Sequence, residues 1–190
     1  MSSKRYPEEF KIQAVKQITD RGHPVAVQAM QAEDLAAVLE IQLHCYDEAK
    51  VESRQSFLAK LNASPTTCFI GCVAEVPVAY LVAVPSEAGN PPPWNCTTFS
   101  VPRVANALYL HDLAVRPEAR GSGAASALVE AYFHGLRESK VQFACLVAVN
   151  ESGPYWERYG FRSAAVTQAG SARMAPYGEG AQYMSMRVSV

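Results

Sequence analysis

The stretch LAVRPEARGSGAASAL, Leu113–Leu128, constrains this chain most. An apolar run ends at Val115 and an alanine-rich segment begins at Ala124, with Arg120, Gly121, Ser122 and Gly123 between them. A strand that turns through two glycines into a helix leaves the first N–H groups of that helix unpaired, and about half a positive charge collects there. Anions bind at such ends. Glycine lets the backbone approach a ligand closely and take up positive φ. Arg120 can add a forked, charged contact. The small side chains of Ala124, Ala125 and Ser126 keep the first turn open. Together these features suit a pyrophosphate. A plain glycine turn into an ordinary helix would read the same on this stretch alone.

Two common nucleotide loops are excluded. There is no GxxxxGK[ST], so a P-loop NTPase does not fit. No GxGxxG follows the first strand with an acidic residue about 20 positions on, so a Rossmann site does not fit either. The 190 residues allow one domain with an appendage, and 49% apolar with 18% charged residues is ordinary for a globular protein. A net charge of -1 gives no bulk attraction to nucleic acid or membrane. No apolar run approaches the ~20 residues of a membrane span. The N-terminus, MSSKRYPEEF, lacks an apolar signal core, so a cytoplasmic location is expected. The five cysteines form no CxxC and no histidine pair has metal-ligand spacing, so free thiols and no metal are expected.

The pattern along the chain predicts alternating strands and helices. VAVQAM reads as a short strand from Val25. Ala32, Glu33 and Asp34 open a helix with Leu35, Val38, Leu39 and Ile41 on its apolar side. A second helix covers about Ser53–Asn62. TCFIGCVAE and VAYLVAVP flank a turn at Glu75–Pro77 and read as a hairpin. Residues 85–105, with three consecutive prolines, form a long loop, often a functional feature. Then come a strand at Ala107–Val115, a helix at Gly123–Glu138, a strand at Val141–Val149, a short helix near Pro154–Tyr159, a strand from Phe161, and a last strand. In that last strand Met184, Met186, Val188 and Val190 share one face and Tyr183, Ser185, Arg187 and Ser189 the other. The unit at 107–149 should be parallel. The fold class is α/β (α+β), a mixed sheet with helices on both faces.

Residues 1–24 differ from the rest. Pro7, Glu8 and Glu9 suit a helix start, Phe10, Ala14, Val15 and Ile18 recur at helical spacing, and Gly22 suits a stop. SKRYPEEFKIQAVKQITDRGHPVA resembles the opening of the small helix-turn-helix subunit of insertion-sequence transposases. The recognition helix that should follow is absent, so DNA binding does not carry over. A fusion or start-site remnant is the expectation for 1–24, with the domain proper at 25–190.

VRPEARGSGAASAL resembles the V-x-P-x-x-[RQ]-G-x-G-x-[GA] signature of the GNAT superfamily of acyl-CoA N-acyltransferases, with Val115, Pro117, Arg120, Gly121, Gly123 and Ala125 in register. LVAVNESGPYWERYGFR resembles a second block of that family, in the right order. The resemblance spans about residues 25–190. It implies a GNAT fold, with a mostly antiparallel sheet. It implies acetyl-CoA as donor and direct transfer to a primary amine of a small molecule or peptide, and leaves a homodimer open. On this resemblance Leu113, Ala114 and Val115 would bond the pantetheine arm through their backbone. The amides of Arg120, Gly121, Ser122, Gly123, Ala124 and Ala125 would hold the pyrophosphate, and Asn150 would contact pantetheine.

Direct transfer needs a proton acceptor for the amine and profits from a donor for the leaving thiolate. Where the family often places a tyrosine, PYWERYGF has Trp156, which has no proton to give at a useful pKa. Tyr155 is the substitute candidate and Trp156 a packing partner for pantetheine or sheet. The candidate bases are His111 and Asp112 in YLHDLAV. Alternation puts them on opposite faces, so one of the two should reach substrate: His111 beside Tyr109, or Asp112 beside Leu108, Leu110 and Ala114. Two satisfied structural polar groups would look the same. Tyr46, Asp47, Glu48, Glu52, Trp94 and Tyr177 are candidates for the acceptor pocket. Cys145 sits in an apolar strand and reads as core.

Overall fold

The computed structural model describes residues 9, 12–13, 15–17 and 23–188. Seven strands form one sheet: β1 (Val25–Ala29), β2 (Cys68–Val73), β3 (Val76–Ser86), β4 (Ala107–Val115), β5 (Phe143–Ala148), β6 (Arg162–Ser163) and β7 (Gln182–Arg187). Their order is β1-β2-β3-β4-β5-β7-β6. Among the described residues only β4 and β5 pair in parallel; the other neighbours are antiparallel. The helices are α1 (Leu35–Cys45), α2 (Arg54–Ala63), α3 (Ala124–Glu138), α4 (Gly153–Glu157) and α5 (Gln168–Met174). The expected mixed α/β sheet is therefore present.

Period-2 alternation in β3 decides which helix covers which face. Ala79, Leu81 and Ala83 meet Leu128, Val129, Tyr132 and Leu136 of α3. Tyr80 and Val82 point the other way and meet Leu35, Val38 and Ile41 of α1 with Phe57 and Leu61 of α2. Burying each such large side chain contributes about 1.5–3 kcal/mol. Helix starts are locally encoded. Ser53 caps α2 by accepting from the Ser56 amide at 3.2 Å.

Several boundaries differ from expectation. The hairpin turn is Ala74–Glu75, both at positive φ (46° and 66°), and Pro77 already belongs to β3. The strand from Phe161 is two residues long. In β7 both Tyr183 and Met184 are buried, because each face of the strand is covered. Ser189 and Val190 lie outside the described residues. The helix α5 and the 3-10 turn Ala175–Tyr177 were not expected. Of residues 1–24, Glu9, Ile12–Gln13 and Val15–Gln17 are helical, while the proposed start at Pro7 and stop at Gly22 lie outside the described residues. Val15 is 4% exposed and sits in the α3-side core with Val73 and Val78.

One glycine is fixed by close approach. A Cβ on Gly170 in α5 would lie 2.3 Å from the Gly89 carbonyl oxygen and 3.1 Å from Val166 Cβ. Backbone would have to move. Gly170→Ala is expected to cost about 1–3 kcal/mol, seen as a lower urea midpoint at unchanged m-value.

Candidate active site

β4 and β5 separate where the site forms. β4 pairs with β3 along its whole length, from Ala107 to Val115. It pairs with β5 only from Ala107 to Leu110. Among the described residues that edge of β4 has no strand partner from His111 onward. The gap opens a cleft of about 510 Å³, lined by residues of β4, β5, α4, the end of α1 and the 87–106 loop. An extended, hydrogen-bonding ligand can join an unpaired edge as a strand would.

A β-bulge corrects the expectation for His111 and Asp112. Val82 is opposite Asp112 while Ala83 is opposite Leu110, so His111 is an extra residue on β4. The alternation changes phase there. Leu108 and Leu110 face α3, and so do Leu113 and Val115 beyond the bulge. Tyr109, Ala114, His111 and Asp112 take the opposite side. His111 and Asp112 therefore share one face and both line the cleft, whereas Leu108 and Leu110 lie on the opposite face, from which Leu110 also reaches the cleft.

Each of the two is held by polar side chains. Asp112 Oδ1 accepts from the Tyr46 hydroxyl at 2.6 Å and Oδ2 from the Tyr80 hydroxyl at 2.5 Å. Burial raises the Asp112 pKa, and the two phenols pull it partly back. His111 Nε2 meets Glu52 Oε1. Glu52 Oε2 accepts from Lys60 Nζ at 2.7 Å, from the Ser56 hydroxyl at 2.6 Å and from the Asn95 amide at 3.0 Å. Lys60 is fully buried and Glu52 is 4% exposed. Burial alone would raise the Glu52 pKa, but the facing His111 and Lys60 outweigh it and hold the carboxyl below the usual range. His111 Nδ1 is buried and has no hydrogen-bond partner among the described residues.

The glycine turn has the geometry expected of it. Gly121 and Gly123 have φ of +85° and +88°, and Gly123 precedes the first residue of α3. The amides of Arg120, Ser122 and Ala124 bond within the loop, to Pro117 O, Ala119 O and Ser122 Oγ. Among the described residues the amides of Gly121, Gly123, Ala125 and Ser126 have no protein acceptor. Arg120, Ala125 and Asn150 line the cleft with Leu113, Ala114 and Val115, while Gly121, Ser122, Gly123 and Ala124 lie outside its lining. Asn150 stands at φ +50°, a conformation asparagine tolerates, two residues after the end of β5.

Trp156 is 7% exposed and packs edge-on against Phe161 at 5.9 Å, with part of it at the cleft. Tyr155 also lines the cleft, with the Arg158 guanidinium 4.1 Å from its ring centre. Burial pushes its phenol up to about 12, so it stays protonated at neutral pH. Tyr46, Glu52, Trp94 and Tyr177 line the cleft, as Lys50 does, but Asp47 and Glu48 do not. Cys145 is buried in β5 and its thiol is pushed up to about 11, which keeps it from acting as a thiolate. Sequence reasoning missed Gln42, Ser56, Lys60 and Tyr80. Ser56 and Lys60, four apart on the buried side of α2, were the available signal. Among the described residues there is no His/Cys/Asp/Glu group that could hold a metal, and no helix is long and apolar enough to cross a membrane.

A sheet splayed between a parallel strand pair, with a glycine turn feeding the next helix, is the GNAT fold. The profile of the Acetyltransferase (GNAT) family matches residues 35–161, well over half of the chain, and the chain belongs to that family. No curated protein sequence matches it. Its fold is similar to that of Ard1 from Thermoplasma volcanium (TM-score 0.65, 16% identity, 87% of this chain and 99% of that one). It is also similar to the ribosomal-protein-S18-alanine N-acetyltransferase from Escherichia coli (0.61, 18%, 87% and 95%). A GNAT-like decarboxylase, GphF, in complex with isobutyryl-CoA is a third such structure (0.69, 13%, 85% and 98%).

Proposed function

We propose that this protein is an N-acetyltransferase that moves the acetyl group of acetyl-CoA to a primary amine of a small molecule or peptide by direct attack. One juxtaposition carries the reading. The partnerless edge of β4 and His111, whose Nδ1 is buried without a protein partner among the described residues, line one cleft. Pantetheine would lie along Leu113, Ala114 and Val115, with Asn150 across from it. The free amides of Gly121, Gly123, Ala125 and Ser126, with Arg120, would hold the pyrophosphate. The open space around Gly121 and Gly123 admits it, since beyond the adjoining residues no atom lies within 4 Å of where either Cβ would stand. When bound, the donor supplies a thioester carbonyl.

His111 Nδ1 takes the proton of the incoming amine, directly or through one water. Asp112 has both oxygens engaged by phenols, which favours His111 for that role. Tyr155 offers its hydroxyl proton to the departing sulfur. Trp156, standing where the family often has a tyrosine, favours a second reading: a domain that holds acyl-CoA without turnover. Thiol release measured over a panel of amines, with the product identified by mass, separates the two. Amine-dependent thiol release is expected. Tight CoA binding with no acetylated amine would favour the second reading.

A further inference from the structure

The cluster behind His111 has more polar contacts than burial of one histidine requires. Gln42, in α1, clamps the Glu52 backbone from both sides: its Nε2 donates to Glu52 O at 3.0 Å, and its Oε1 accepts from the Glu52 amide at 2.7 Å. The Glu52 side chain is then divided. Oε2 faces three donors, Lys60 Nζ, the Ser56 hydroxyl and the Asn95 amide. Oε1 faces only His111 Nε2. Ser56 Oγ also accepts from Lys60 Nζ at 2.6 Å, so the ammonium is tied to the carboxylate twice, directly and through the hydroxyl. None of these groups needs a ligand to be satisfied. Within this cluster, and among the described residues, the atom left without a partner is His111 Nδ1.

We infer that Glu52 is the positioning residue of this site. It fixes His111 as the Nε2–H tautomer and leaves Nδ1 as a proton acceptor, with Lys60, Ser56 and the Asn95 amide holding the carboxylate in place. The inference rests on the reading of His111 as base. The physical reason is that a carboxylate offers only acceptors. With Oε2 occupied, Oε1 demands a proton from Nε2, and a neutral imidazole has only one to give. A carboxylate behind a histidine sets tautomer and ring orientation in this way in metal sites and in hydrolytic triads. Asn95 belongs to the 87–106 loop and its Oδ1 accepts from the Ser53 amide at 2.9 Å. The same carboxylate thus anchors the cleft wall that carries Trp94.

Glu52→Gln gives the test, because its amide cannot reproduce both halves. Three donors compete for the single amide oxygen, so the NH2 group turns toward His111 and forces Nε2 to accept. The full chain, with 15N-labelled histidine, is examined by NMR on the neutral side of the imidazole titration. His111 is assigned by the loss of its signals in His111→Gln. The wild type should carry its proton on Nε2, and Glu52→Gln should carry it on Nδ1. In that variant kcat for acetyl transfer should fall about 10²–10⁴-fold at unchanged KM for acetyl-CoA. Glu52→Asp, which keeps the charge, should keep the Nε2–H tautomer and recover part of kcat. A merely structural glutamate would lower stability in both variants without inverting the ring.

A wild-type His111 protonated on Nδ1 would overturn the inference, and that spectrum needs no variant to fold. So would an unchanged tautomer in Glu52→Gln. Inversion of the ring at unchanged kcat would support Glu52 as positioner and overturn His111 as base.

Discussion

Replacing His111 by glutamine is expected to lower kcat/KM for acetyl transfer by about 10²–10⁴-fold, the share a positioned general base contributes. Glutamine keeps bulk and polarity but cannot carry the proton. The donor contacts we propose lie elsewhere, along Leu113–Val115 and at the glycine turn, so CoA affinity by calorimetry should not change. The bulge in β4 makes this the decisive position. It turns His111 onto the face where Glu52 and Tyr109 already lie. Full activity in the glutamine variant would remove the base from this mechanism.

Lys60→Met is expected to destabilise the fold by about 3–5 kcal/mol, because it leaves a buried carboxylate without its ammonium. Methionine fits the volume, so the loss reports charge more than packing. Lys60 is fully buried and Glu52 nearly so, and solvent cannot replace the partner. Urea denaturation at neutral pH checks the value. The double variant Lys60→Met, Glu52→Leu should recover much of it, since neutralising both charges removes the penalty. Acid gives an independent sign. The folded-state pKa of Glu52 is depressed, so its contribution is present above the unfolded carboxylate value of about 4.3 and is lost as pH falls below it toward the folded one. The wild type should lose stability over that fall more steeply than Lys60→Met.

The glycine turn proposed for the donor was legible because it is written locally. Gly121 and Gly123 must take positive φ, and Val115, Pro117 and Arg120 stand at fixed distances from them, so the turn appears in one short window. The strands and α1 to α3 were legible for the same reason, since their periodicity is local. The catalytic side was not. The alternation rule put His111 and Asp112 on opposite faces, and a one-residue bulge, visible only in the pairing with Val82 and Ala83, put them together. The sequence offers Glu52 only as a candidate for the acceptor pocket. Its partner Lys60 lies eight residues on, and a lysine on a helix normally reads as solvated. Tyr80 and Tyr46 reach Asp112 from 32 and 66 residues away, a distance no motif spans. The helix α5 was hidden by its shortness and by Gly170, whose role is a close approach to Gly89 rather than a propensity.

A crystal structure with acetyl-CoA bound tests the central claim most directly. The expected result is pantetheine on the open edge of β4 at Leu113–Val115, with the thioester carbon in the gap between β4 and β5 and His111 Nδ1 within one water of the acceptor's path. A donor seated elsewhere, or a thioester carbon with none of His111, Asp112 and Tyr155 within one water of it, would contradict the account.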